Sequence, residues 1–173
     1  TVVAGVDYDR IAVSGAPGTA TLAGTLAVVQ NGGIYVAGTN YDVITTTGGI
    51  TGNFSSVTGT SISAFLSLSN ASANGGGVQG NNYRLVVVRA AYNTAATNPN
   101  QVAVANGLTG MIGSTGAAAT VNKIDNMTAG QAQALFAGLN PEPYGAYATS
   151  LQDQGELFTR QVAQRLASNR GED

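Results

Sequence analysis

Residues 41–54 read Tyr-Asp-Val-Ile-Thr-Thr-Thr-Gly-Gly-Ile-Thr-Gly-Asn-Phe, and no other stretch constrains the chain as tightly. Alternation puts Tyr41, Val43 and Thr45 on one side of a short strand and Asp42, Ile44 and Thr46 on the other. Gly48-Gly49 turns the chain, and a second short strand follows with Ile50, Gly52 and Phe54 pointing one way. Two pleated segments of about five residues, joined by glycine with no helix between them, suit the corner of a coiled sheet.

The chain upstream repeats this grammar. Asp7 to Val13 alternates, Ser14 to Thr19 is a turn rich in glycine with Pro17, and Thr21 to Val29 is strand-like. Asn31-Gly32-Gly33 turns the chain into a short strand at Ile34 to Val36. Downstream, Phe65 to Ser69 reads as another strand and Asn70 to Asn82 as a loop rich in glycine and asparagine. Tyr83 to Arg89 is the most β-rich segment. Strands this short and frequent leave two architectures, an antiparallel sandwich or barrel and a β-solenoid. The small, uncharged polar residues favour the solenoid, where Thr, Ser and Asn form ladders along a stack, and the irregular spacing suits its terminal part.

Beyond Asn93 the pattern changes. Pro99 stands where a helix begins, with Val102 to Leu108 supplying two turns before Gly110, and Gly113 to Thr120 reads as a small-residue hinge. Thr128-Ala-Gly-Gln131 fits a capping box, in which the hydroxyl and the amide satisfy orphan backbone N–H groups. Leu135, Phe136 and Leu139 give that helix its apolar stripe, and Asn140-Pro141-Glu142-Pro143 ends it. Tyr144 to Ser168 is an amphipathic helix roughly 37 Å long. Tyr147, Leu151, Phe158, Val162 and Leu166 share one face, and Gln152, Asp153, Glu156, Arg160, Gln164 and Arg165 lie on the other.

Composition excludes several functions. The chain has no histidine, cysteine or tryptophan, which removes a disulfide framework, thiol catalysis, zinc–thiolate sites and the commonest general base. The absence of tryptophan also argues against a complete membrane barrel, whose interfaces carry aromatic girdles. Only 9% of its 173 residues are charged, against about 25% in an average soluble protein. A net charge of −2 offers no basic surface to nucleic acid. No apolar run approaches the ~20 residues of a spanning helix. The chain opens at Thr1 inside a β-like pattern, which reads as a piece excised from a longer polypeptide.

No residue set carries catalysis, a cofactor or a metal. Asp7, Asp9 and Asp42 are carboxylates without the roughly six oxygens calcium takes or the defined pair a glycosidase needs; they read as a solvated strand edge. Ser14 and Ser67 have no histidine to act as base. Gly48-Gly49-Ile50-Thr51-Gly52 lacks the lysine and following helix of a phosphate loop, so its glycines serve a turn. Tyr8, Tyr35, Tyr41 and Tyr83 read as core or capping aromatics, with a carbohydrate-binding face as the alternative. Asn53, Asn70 and Asn126 head formal glycosylation sequons, a pattern short enough to arise by chance.

The order of segments carries a resemblance. Asp9-Arg10-Ile11-Ala12-Val13-Ser14-Gly15 comes first, then Ala20-Thr21-Leu22-Ala23-Gly24-Thr25-Leu26, the 41–54 stretch and Tyr83-Arg84-Leu85-Val86-Val87-Val88. Asn98-Pro99-Asn100-Gln101-Val102-Ala103 comes next, then Leu139-Asn140-Pro141-Glu142-Pro143-Tyr144 and the helix beyond. Together they resemble the end of the passenger and the following linker of monomeric (type Va) autotransporters, secreted proteins of Gram-negative bacteria. The resemblance covers almost the whole chain, which departs from the family in carrying no barrel.

It implies a mainly β chain, a right-handed parallel β-helix (solenoid) end section followed by an α-helical linker. Residues 1–95 would be the β-helix terminal, autochaperone-like region and 96–126 a flexible or partly helical connector. Residues 127–173 would be a helical linker toward a membrane barrel. The implied function is non-catalytic: templating passenger folding and tethering the passenger to the outer-membrane translocator, at the cell surface or secreted. The implied partner is the protein's own C-terminal barrel, with docking of Arg84 and Arg89 on its mouth as one reading and a solvated strand as the other. The alternative function is an adhesin or self-associating surface-fibre segment that binds glycans, a host or neighbouring cells.

Overall fold

A computed structural model describes residues 8–140 and 142–169, without the side chains of 142–148 and 167–169. Asp7, Pro141 and the side chain of Tyr147 therefore lie outside the described residues. The chain divides into two compact units, Thr1–Ala137 and Gly138–Asp173.

The first unit begins with two passes of short strands. β1 (Ile11–Val13), β2 (Ala20–Leu22) and β3 (Thr25–Ala27) form the first pass; β4 (Asn40–Thr46), β5 (Ile50–Gly52) and β6 (Ser56–Thr58) form the second. Each strand pairs in parallel with its counterpart, Ile11 opposite Ile44, Ala20 opposite Ile50 and Thr25 opposite Ser56. The hydroxyl ladders expected from the composition occur here, with Thr21 Oγ1 3.1 Å from Thr51 Oγ1 and Thr25 Oγ1 2.8 Å from Ser56 Oγ.

The parallel pattern then stops. β7 (Leu66–Ser69), β8 (Gly77–Gln79) and β9 (Asn82–Arg89) complete a five-stranded sheet of order β1-β4-β9-β7, with β8 also on β9. β9 runs antiparallel to β4, β7 and β8. Strands so covered bury both faces, and Leu85, Val86 and Val87 are all buried. The first core lies beneath this sheet, where Tyr41, Ile44, Leu66, Tyr83 and Leu85 pack together. Phe54 meets the Tyr83 ring edge-on at 5.0 Å.

Helices α1 (Pro99–Thr109), α2 (Ala118–Asp125) and α3 (Ala129–Gly138) follow. Asn98 caps α1, its side chain accepting from the Gln101 N–H at 2.9 Å. The α3 capping box forms as expected: the Thr128 N–H donates to Gln131 Oε1 at 2.9 Å and the Gln131 N–H to Thr128 Oγ1 at 3.3 Å. A second core joins these helices to the sheet through Phe65, Tyr92, Ala105, Ile124 and Phe136.

The expectation of a mainly β chain built as a right-handed parallel β-helix is therefore corrected. The protein is mixed α/β, with 38% helix and 25% strand, and among the described residues there is no closed or solenoid sheet. Among the described residues parallel pairing joins two passes, and β9 turns the growing sheet antiparallel. Three local readings change as well. The expected loop 70–82 contains β8, held by β9, and the expected hinge 113–120 runs into the first turn of α2. Ile34 to Val36 is not a strand among the described residues.

In the second unit, α4 (Glu142–Asn169) is a single helix of 28 residues. Its described side chains from 149 to 166 are all exposed, Leu151, Phe158, Val162 and Leu166 among them. Glu156 and Arg160 pair one turn apart at 3.6 Å. Among the described residues no helix is long and apolar enough to cross a membrane.

Candidate functional site

The first pass of strands presents a row of backbone groups that no strand among the described residues pairs. Hydrogen bonding to the second pass shows which residues form that row. Val13 O accepts from Thr47 N at 3.1 Å, Ala20 N donates to Gly49 O at 3.1 Å, Gly24 O accepts from Ser55 N at 2.7 Å, and Val28 N donates to Thr58 O at 3.0 Å. In a parallel ladder the N–H and C=O of one residue point to the same side, and successive residues alternate. The backbone groups of Ala12, Thr21, Thr25 and Ala27 therefore point outward, away from the second pass. An open edge of this kind is a ready template for another strand. Ile11, 62% exposed, lies on it, and Val29 and Ile34 are exposed on the connection between β3 and β4.

Glycines let the two passes approach. A Cβ on Gly48 would overlap the Pro17 carbonyl, and Gly48 N donates to Gly18 O at 2.9 Å. That is backbone against backbone, with no anion cradle. Asp42 is committed to Arg84, which donates from Nε at 2.6 Å and Nη2 at 3.0 Å; these hydrogen bonds raise the Arg84 pKa. Asp9 is exposed, as is Ser14, and Ser67 lies opposite Val88 within the sheet. Among the described residues no group of three or more Asp, Glu, His or Cys gathers as a metal site.

The tyrosines do not form one exposed face. Tyr41 and Tyr83 are buried, Tyr8 lies edge-on to Tyr41 at 5.3 Å, and the Tyr35 hydroxyl donates to Asn31 O at 2.9 Å. Two sequon asparagines work inside the fold: Asn70 Nδ2 donates to the Tyr83 hydroxyl at 3.1 Å, and Asn126 bonds both backbone groups of Tyr35.

Sequence reasoning did not single out Asp125, which is fully buried. Arg89 donates to its two oxygens at 2.7 and 2.5 Å and the Tyr92 hydroxyl adds a third bond at 2.8 Å. Burial first, and then the bond to Asp125, push the Tyr92 hydroxyl pKa up. The hydrogen bonds to Asp125 likewise raise the Arg89 pKa. A shallow cleft of about 240 Å³ runs beside Arg89, lined also by Ile112, Thr115 and Val121. The sequence signal for Asp125 was faint: one acid near the end of a short amphipathic run, Val121 to Ile124.

Comparison with protein families, with curated proteins and with solved structures gives no match to this chain.

Proposed function

We propose that the chain is a non-catalytic structural segment of a surface-exposed autotransporter, which templates the folding of a passenger and tethers it to an outer-membrane barrel. The observation that carries this reading is the outward row at Ala12, Thr21, Thr25 and Ala27. Its strands already accept parallel neighbours on their other side, with hydroxyl ladders alongside. A preceding length of chain gains backbone hydrogen bonds there without having to nucleate long-range pairing itself, the slow step for β structure. α4 supports the tether role: its polar face suits a water-filled pore and its apolar stripe suits a wall. Self-association at the same edge, as in a surface fibre, is the competing outcome.

Proline removes an N–H and is tolerated where that group faces out of a sheet. The double substitution Ala12→Pro and Ala27→Pro therefore blocks the outward row while leaving the bonds to the second pass. In the full-length protein we expect a correctly inserted barrel and a passenger that proteases digest. A passenger that folds normally overturns the template role. Loss of cell aggregation with a normally folded passenger supports the fibre reading instead.

A further inference from the structure

Three consecutive residues at the end of α2 collect hydrogen bonds from three separate parts of the β region. The Asp125 carboxylate takes Arg89 and Tyr92, and its backbone carbonyl accepts from the Ser63 hydroxyl. The Asn126 side chain accepts from Tyr35 N at 2.9 Å and donates to Tyr35 O at 2.8 Å. The Met127 carbonyl accepts from Ala64 N at 3.0 Å. Tyr35 belongs to the connection between β3 and β4, Ser63 and Ala64 to the turn before β7, and Arg89 to the end of β9.

Only the finished sheet brings these parts together. Arg89 stands opposite Leu66 in the β7–β9 ladder. The connection that holds Tyr35 is drawn in where Gly38 N donates to Val87 O at 2.8 Å and Val87 N to Thr39 O at 2.9 Å. The helices cannot anticipate that event. α1, α2 and α3 have 11, 8 and 10 residues, shorter than the ~12–15 at which isolated helices become even marginal in water. A buried carboxylate without its guanidinium is, in addition, strongly unfavourable.

We propose that residues 125–127 are a latch that senses completion of the sheet: α1–α3 dock as a cap only after β4, β9 and β7 have paired, and Asp125 is the positioning residue that couples the two events. This order is set within the chain itself and does not require the templating role.

Pulse-labelled hydrogen exchange during refolding of the full chain tests it. The amides of β4, β7 and β9 should gain protection before those of α1–α3. At equilibrium, Asp125→Asn should lower protection in α1–α3 by roughly ten- to a hundredfold and leave the strand amides unchanged. Arg89→Lys, which keeps the charge without the two-pronged bond, should give a smaller loss in the same helices. Asn126→Ala removes the Tyr35 bridge together with the Nδ2 bond to Asn122 O inside α2, and should loosen α1 and α3 as well as α2, with the strands unchanged, even if Asp125→Asn fails to fold. Helices protected as early as the strands, or variants that weaken strands and helices equally, would overturn the latch.

Discussion

Gly48 and Asp125 show how much one position can depend on a distant part of the chain. Gly48 has the Pro17 carbonyl where its Cβ would be, so Gly48→Ala forces two backbones apart. We expect a loss of about 1–3 kcal/mol, the usual range for overpacking, by chemical denaturation. Gly32→Ala, in open space, should stay within about 0.5 kcal/mol. Tyr92 gives a pH signature. Its folded pKa lies above the ordinary value of about 10, so the unfolded chain releases this proton first as pH rises. The contribution is whole below pH ~10 and is lost progressively above it. Wild type should therefore lose stability more steeply than Tyr92→Phe through that alkaline range, as compared by denaturant midpoints. Parallel profiles would disprove the assignment.

At the scale of elements, local chemistry and pairing divide the work. α3 is written locally: Thr128 and Gln131 satisfy each other's N–H groups. Thr128→Ala should cost about 1 kcal/mol, read as a lower thermal midpoint with unchanged strand content. β4 is different. Strict alternation groups Asp42 with Ile44 and Thr46, yet Ile44 and Thr46 are buried while Asp42 reaches Arg84. The ladder to β9 shifts register between Asp42 and Ile44; this bulge at Val43 inserts one extra residue and re-aims the side chains after it. The shift arises from pairing with Leu85, Arg84 and Tyr83, some forty residues away in the chain, and no periodicity within 40–46 announces it. β8 is hidden similarly. Gly76-Gly77-Val78-Gln79 has a loop's composition and becomes a strand because β9 supplies an edge.

For the molecule as a whole, the outward row and the latch lie at different ends of one pairing scheme. Among the described residues no strand pairs the outer side of the first pass, and its other side leads through β4 and β9 to the helices. The sequence alone determined β1, β4, β5, β7 and β9 with their glycine turns, the start of α1 at Pro99, the capping box of α3 and the amphipathic run of α4. Each of these rests on contacts within a few residues or on side-chain period. Tertiary structure decided that parallel pairing gives way to antiparallel after the second pass, that β9 binds neighbours on both edges, and that an inconspicuous Asp125 is buried among Arg89, Tyr92 and a cap of helices. Those outcomes depend on which edges meet and on which charges lose their water. Such energies belong to pairs of distant residues, and composition and spacing along the chain do not record them.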